Sequence, residues 1–476
     1  MIQSSPSDKM AGITPEGVNQ IHDASMEILA REGVCFNSRT ALDIFASHGF
    51  RHENGKVRIS ETQVRKALET VPAEFTIHAR NPENNLRISP DRFVLLPTVG
   101  APNIAGIEGN QRPATLEDFK TCCDLVQSSR QLDMGGWLMV QPNDIPLDTA
   151  HLDMLLAYTT RCDKPLLGAF GSDTMAKDTF GMAEMIFGGK DYLRAHPVTA
   201  MIINALTPLQ FSGEQTDVLI QGAELRQPLV ISNMALAGST APVRLPGLLA
   251  LINAEILAGM VLSQLVGPGT PVVYGTTSAP MDMKTTVGVV GAWETVKVSA
   301  AAIRMARYYN LPCRTGGSLN DAHIPDGQAM AEGSLLLSTA IRNGANFILH
   351  ACGQMASFMA VSFEKWLMDE ELCRLIKGTI APLDITEETI DIDTICSVGA
   401  GGEYLTHPST FSHFKTLSRS DIFNRRNHKK WQEAGAMDAA ASASAKLKQR
   451  LEMHTLPPID EGLKQELEGF VARRKA

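Results

Sequence analysis

The chain has 476 residues, 44% of them hydrophobic and 20% charged, enough to bury a large core and to build two or three domains. Its formal charge of −9, with no block of five like charges, argues against nucleic acid or an anionic membrane as the partner. The eight cysteines include no CxxC pair, and Cys122–Cys123 are adjacent, which suits neither a common bridge nor a chelate. Reduced thiols in a cytoplasmic protein are expected, and MIQSSPSDKM lacks the basic and apolar regions of a secretion signal.

Residues 1–90 read as an N-terminal helical segment. In IHDASMEILAREGV, Ile21, Ala24 and Ile28 share a face and Gly33 follows the last turn. Ser60-Glu-Thr-Gln63 is a capping box opening a helix that Pro72 stops. A rhythm then begins over 91–380. Short apolar, often β-branched runs recur eight times: FVLLPTVG, MGGWLMVQ, PLLGAFGS, TAMIINAL, PLVISNMAL, PVVYGTTS, PCRTGGSL and NFILHACG. Helical patterns lie between them, starting at Thr115-Leu-Glu-Asp118, at Asp148 and in GAWETVKVSAAAIRMARYYN. Alternation of this kind predicts a parallel sheet covered on both faces, and eight units predict an α/β fold of the closed (β/α)8 TIM barrel type. An open doubly wound sheet is the alternative, disfavoured by the lack of a GxGxxG or P-loop motif.

LPGLLALINAEILAGMVLSQLVG (245–267) is apolar enough to pass for a membrane span, yet it holds Asn253, Glu255 and Gln264. A carboxylate in mid-membrane costs about 2.5–3.5 kcal/mol, so a buried helix of a soluble protein is expected. Residues 381–476 form a C-terminal helical extension, expected to pack on the barrel or to make a subunit contact, with a homo-oligomer as the expected state. Its NRRNHKKWQEAG stretch reads as a solvated basic face.

In a barrel, chemistry gathers where the strands end. Those ends supply Asn103, Gln141, Ser172, Asn204, Asn233, Thr276–Thr277, the GGSLNDAHIPDGQ loop with Gly317, Asn320 and Asp321, and His350. No HExxH, His cluster or paired cysteine offers a metal site, and no strand-end lysine offers a Schiff base. A lyase or aldolase would want such a lysine or a strong base. Neutral polar walls suit a substrate that already carries charge. Arg314 inside the seventh strand either closes an ion pair with Glu294 or Glu332 or clamps a carboxylate bidentately. Glu255 reads as a buried structural partner. Phe358, Phe363 and Trp366 are at helical spacing and suit either a core or an aromatic cage.

These stretches resemble the trimethylamine methyltransferase superfamily, in its branch without pyrrolysine. The resemblance runs through ITPEGVNQIHDASMEILAREGV, MALAGSTAPVRLPGLLALINAEILAG, GTTSAPMDMKTT, LPCRTGGSLNDAHIPDGQA, GANFILHACG and GGEYLTHPSTFSHF. It implies a (β/α)8 barrel that moves a methyl group from an amine to the Co(I) of a separate corrinoid protein. The corrinoid (cobalamin) is then the partner's, and no cofactor or metal is bound tightly here. The position that pyrrolysine occupies in relatives falls at or beside Asn320. Branch members without it demethylate quaternary amines, so glycine betaine is the favoured substrate, yielding dimethylglycine, with proline betaine or carnitine as alternatives. A non-catalytic quaternary-amine binding protein is the remaining reading. No residue is assigned to bond chemistry. Asn320 and His350 are expected to position the substrate, and Arg314, His350, Asn320, Asp321, Asn204, Asn233, Gly317 and Phe358 to bind it.

Overall fold

The structure, a computed structural model, describes residues 12–417 and 419–476; the N-terminal MIQSSPSDKM stretch lies outside them. Each of the eight apolar runs contains a strand: β1 Val94–Leu95, β2 Gly135–Gly136, β3 Leu166–Leu167, β4 Thr199–Asn204, β5 Leu229–Ser232, β6 Val272–Gly275, β7 Cys313–Gly316 and β8 Phe347–Leu349. All pair in parallel and in chain order from β2 to β8, and β8 returns to β1 through Phe347↔Val94. Backbone bonds from Asp133 N to Leu95 O (2.9 Å) and from Gly100 N to Leu138 O (2.7 Å) join β1 to β2 and close the ring. The protein is a (β/α)8 barrel. A helix of at least twelve residues follows each strand, several of them started by side-chain caps. Thr115 and Asp118 form a capping box, and Asp326 accepts from the backbone N–H groups of Gln328 and Ala329.

Alternation along the strands fills the lumen with Val94, Met134, Leu167, Ile202, Val230, Val273 and Phe347. Burying each such side chain is worth about 1.5–3 kcal/mol. At the N-terminal end the hairpin Phe75–Ile77/Leu86–Ile88 adds Ile77 and Ile88 to the same cluster and plugs the barrel. The hairpin thus closes the N-terminal end of the lumen.

The greasy helix Leu245–Val266 is long and apolar enough to cross a membrane, but it is buried inside the fold, and Asn253, Glu255 and Gln264 all find partners there. Asn253 Nδ2 donates to Ser25 Oγ (2.8 Å) and Tyr309 Oη (2.9 Å), and its Oδ1 accepts from Tyr274 Oη (3.0 Å). Glu255 accepts from Leu209 N, Thr207 Oγ1 and Asn233 Nδ2. Gln264 bonds Thr70, Gly269 and Thr270. Buried polar groups of this kind need such partners.

Among the first ninety residues the helices Pro15–Arg31 and Glu61–Leu68 form as the pattern predicts, Ser60 and Gln63 make their capping box, and a further helix, Arg39–Ser47, lies between them. Strands lie between them as well. Val34–Phe36 pairs with Lys56–Val57 and, in parallel, with Gln210–Phe211 beyond β4. Pieces of two or three residues with a partner that remote leave no periodic signal. In the C-terminal part, helix Ala439–Met453 docks through Arg450 on Glu370 (2.7 Å), and helix Glu461–Lys475 through Arg474 on Asp178 (2.6 Å). Between them and the barrel, residues 381–417 leave Leu383, Leu405 and Phe411 exposed. All eight cysteines are unbridged.

Candidate active site

Parity along the strands decides what reaches the mouth of the barrel. In β5, Val230 lines the lumen, so Ser232 does too, whereas Asn233 points outward and spends its amide on Ile252 O and Glu255. In β4, Asn204 shares the parity of Ala200 and Ile202 and is exposed at the rim. In β7, Arg314 faces inward, 4% exposed, beneath the ends of β5, β6 and β8.

Arg314 has no carboxylate at ion-pair distance among the described residues, so the expected alternative of a structural pair with Glu294 or Glu332 does not form. Glu332 instead accepts from Asp321 N (2.8 Å) and Gln328 Nε2 (2.9 Å). The guanidinium's neighbours are neutral. Nη1 donates to Ser232 Oγ and Thr277 Oγ1, both at 3.2 Å, Nη2 lies 3.3 Å from His350 Nε2, and Nε finds no partner. Burial without a counter-charge pushes the Arg314 pKa down to about 10, and burial together with Arg314 holds His350 well below the usual histidine range.

The imidazole is therefore neutral, with one acceptor nitrogen; two pure donors approach it, and the Gln354 side chain lies beside it as an acceptor. Val99 N–H points at Nδ1 (3.3 Å) while Arg314 Nη2 faces Nε2. Both bonds cannot form at once. With Val99 N–H on Nδ1, the Nε2–H and the Arg314 Nη2 are both donors on the same side of the site.

The loop after β7 supports this arrangement from outside. Gly317 is where the backbone of this loop meets that of β8. A Cβ there would meet Ala351 Cα at 2.7 Å and His350 O at 3.0 Å, because Gly317 N and Ser318 N donate to Leu349 O and His350 O across to β8. We expect Gly317→Ala to destabilise the fold by about 1–3 kcal/mol and to weaken substrate binding, as measured by thermal melting and titration calorimetry. Asn320 is fully buried, with Nδ2 donating to Gln354 O (2.6 Å) and Oδ1 accepting from Ala322 N. Asp321 accepts from Val290 N, Gly291 N and Ser357 Oγ. Asn320 and Asp321 thus spend these bonds on building the loop.

What they build is the loop after β8. Ala356, Ser357 and Phe358 are three successive non-glycine residues in the left-handed region, with φ of 49°, 50° and 76°. Such residues cost of order 1–3 kcal/mol each and persist where the surroundings over-determine them. Here Ala322 O, Asn320 O and the Asp321 carboxylate hold the run. The result is the Phe358 ring set edge-on to His350, centroids 5.0 Å apart. Phe363 and Trp366 pack in the core; Trp366 is buried and bonded to Glu370, so of the three aromatics only Phe358 reaches the site. A cavity of about 50 Å3 lined by His78, Arg80, Tyr158 and Cys162 lies at the opposite end of the barrel.

The sequence matches the trimethylamine methyltransferase (MTTB) family over residues 3–476. The chain belongs to that family. It is 36% identical over 463 residues to the glycine betaine methyltransferase of Desulfitobacterium hafniense (strain Y51), covering 97% of this chain and 96% of the relative. It is 29% identical over 476 residues to the proline betaine:corrinoid methyltransferase of Eubacterium limosum, covering 96% of each. The Methanosarcina barkeri monomethylamine methyltransferase (MtmB) shares the fold, with a TM-score of 0.53 at 12% identity over 93% of this chain and 91% of that one.

As an MTTB-family member the protein is a methyltransferase, and its barrel mouth holds groups that inspection of strand ends overlooked. Ser232 is one; counting inward positions from Val230 would have selected it over Asn233. Backbone N–H of Val99 is another, and no residue-type signal marks it. Lys365 and Asp369, which bond Ser318 of the loop after β7, are a third set.

Proposed function

We propose that this MTTB-family protein transfers a methyl group from glycine betaine to the Co(I) of a corrinoid carried by a separate protein, releasing dimethylglycine. The observation that carries the reading is the buried, carboxylate-free Arg314 beside a neutral His350 that also faces the Val99 N–H. A zwitterion with a carboxylate at one end and a quaternary ammonium at the other satisfies the clamp and leaves its methyls toward the open mouth. The similarity to a glycine betaine methyltransferase and to a proline betaine:corrinoid methyltransferase supports both halves of the reading.

The chemistry asks little of the protein beyond placement. Attack on a methyl of a quaternary ammonium breaks one C–N bond, the electron pair stays on nitrogen, and a neutral tertiary amine leaves without a proton donor. The methyl carbon bonds to cobalt, which gives up two electrons. Positioning and exclusion of water then account for catalysis. Phe358 offers an aromatic face for the cation, a contact worth roughly 0.5–2 kcal/mol.

A bulky donor-to-corrinoid transfer also needs an accessible rim. Leu206, Met234, Met283, Ile324 and Met359, which follow β4 through β8 in turn, are all exposed. We expect Met283→Glu with Met359→Glu to raise the KM for the corrinoid protein roughly tenfold, as rim contacts are lost, while calorimetric affinity for glycine betaine stays unchanged.

The reading is tested by incubating the protein with a Co(I) corrinoid protein and, separately, glycine betaine, proline betaine, carnitine, choline and trimethylamine. Methyl-Co(III) absorbance with glycine betaine is the expected result. Transfer from proline betaine or carnitine alone would keep the clamp and change the substrate. Betaine binding without transfer would make the protein a quaternary-amine binding protein, and transfer from trimethylamine alone would overturn the reading.

A further inference from the structure

Behind the loops that carry the clamp lies an ion pair the transfer chemistry does not use. Lys365 and Asp369, one turn apart on the helix Phe363–Ile380 after β8, both have fully buried side chains. Lys365 Nζ donates to both Asp369 oxygens, at 2.8 and 2.7 Å, and to Ser318 Oγ at 3.0 Å. Asp369 Oδ1 accepts from Ser318 Oγ at 2.7 Å, and Oδ2 accepts from Gly353 N at 2.9 Å. One carboxylate thus ties the loop after β7 to the loop after β8.

The tie reaches further. Gln354, next to Gly353, accepts from Thr98 Oγ1 (2.6 Å) in the loop after β1 and through its carbonyl from Asn320. Thr98 precedes Val99, whose N–H meets His350. The three backbone segments that fix Arg314, His350 and the Val99 donor are therefore linked through this network.

Two buried charges cost several kcal/mol each to desolvate, and a well-packed apolar pair of similar volume is often as stable or more so. Stability alone does not call for the pair. What apolar residues cannot supply is directional bonding that holds two loops at one separation. We propose that Lys365 and Asp369 are positioning residues that set the spacing between the Arg314 guanidinium and the His350 imidazole, and through it the affinity for a carboxylated substrate. This rests on the functional reading above for its substrate, but not for its geometry.

The test uses Lys365→Met with Asp369→Leu in one full-length chain, since Asp369→Asn alone would strand a buried ammonium. A second variant, Ser318→Ala, keeps the ion pair and removes its two side-chain bonds to the β7 loop, leaving only the longer one from Lys365 Nζ to Ser318 O (3.4 Å). We expect the double variant to melt within a few degrees of wild type, to raise the KM for glycine betaine at least tenfold with kcat changed less than threefold, and to leave choline binding unaltered. Ser318→Ala should shift the same parameters about threefold. Crystal structures of both variants give a readout that needs no substrate: the 3.3 Å separation of Arg314 Nη2 and His350 Nε2 should open beyond hydrogen-bond range in the double variant. An unchanged separation would overturn the proposal, whether or not betaine proves to be the substrate. So would a lower melting temperature with unchanged KM, which is the mark of a structural pair only.

Discussion

Arg314→Met should lose the carboxylated substrate and gain stability in the same step. The wild-type guanidinium is buried against hydroxyls and a neutral imidazole, with its Nε unpartnered. Removing it takes away an uncompensated buried charge, so the melting temperature should rise by a few degrees. Binding should move the other way. Truncating one side of a buried, charge-assisted pair costs about 2–5 kcal/mol, or roughly 30-fold to several thousandfold in Kd for glycine betaine by calorimetry. Choline, which lacks the carboxylate, should bind both forms alike. A variant that melts lower and binds betaine normally would return Arg314 to a structural role. In the wild type, carboxylate affinity should hold across neutral pH and fade as pH rises through about 10, where the guanidinium loses its proton.

His350→Asn should lower kcat/KM for glycine betaine roughly 10–100-fold, the effect of about 1.5–3 kcal/mol for one hydrogen bond to a charged group. Asparagine is the informative replacement because residue 350 has a φ of 59°, which asparagine tolerates better than alanine does. The same variant carries a pH signature. Burial and Arg314 depress the His350 pKa in the folded chain, so below about 6.5 the unfolded chain binds a proton that the native one refuses. Stability from this residue is present above 6.5 and falls as pH drops, by up to about 1.4 kcal/mol per pH unit. The acid limb of the wild-type stability curve should therefore be steeper than that of His350→Asn. Equal slopes in urea melts at pH 7.5 and 5.5 would mean that the imidazole is not held neutral by its surroundings.

How much of this was legible beforehand depends on whether a feature is local. Eight apolar runs bounded by glycine and polar residues announced the barrel, since a parallel strand buried on both faces reads as a continuous hydrophobic stretch. Arg314 and His350 stood out because a charged or titratable residue inside such a run is costly. Whether Arg314 had a carboxylate partner was not legible, because Glu294 and Glu332 lie at similar sequence distances on either side and only the packing sends Glu332 to Asp321 N. Asn320 and Asp321 looked like ligand groups for the same reason that they are good loop builders: short polar side chains bond backbone wherever it is offered. Lys365 and Asp369 were invisible for a subtler reason. A Lys–Asp pair four residues apart on a helix is the ordinary pattern of a solvated surface, and nothing local shows that this one is sealed beneath two loops.

Titration calorimetry of the wild-type protein with glycine betaine and with choline, at neutral pH and without any corrinoid partner, addresses the central claim most directly. Both ligands bring the same trimethylammonium group, and only one brings the carboxylate that Arg314 and His350 are arranged to receive. The account predicts at least 30-fold tighter binding of glycine betaine, about 2 kcal/mol. Equal affinities, or tighter binding of choline, would contradict it.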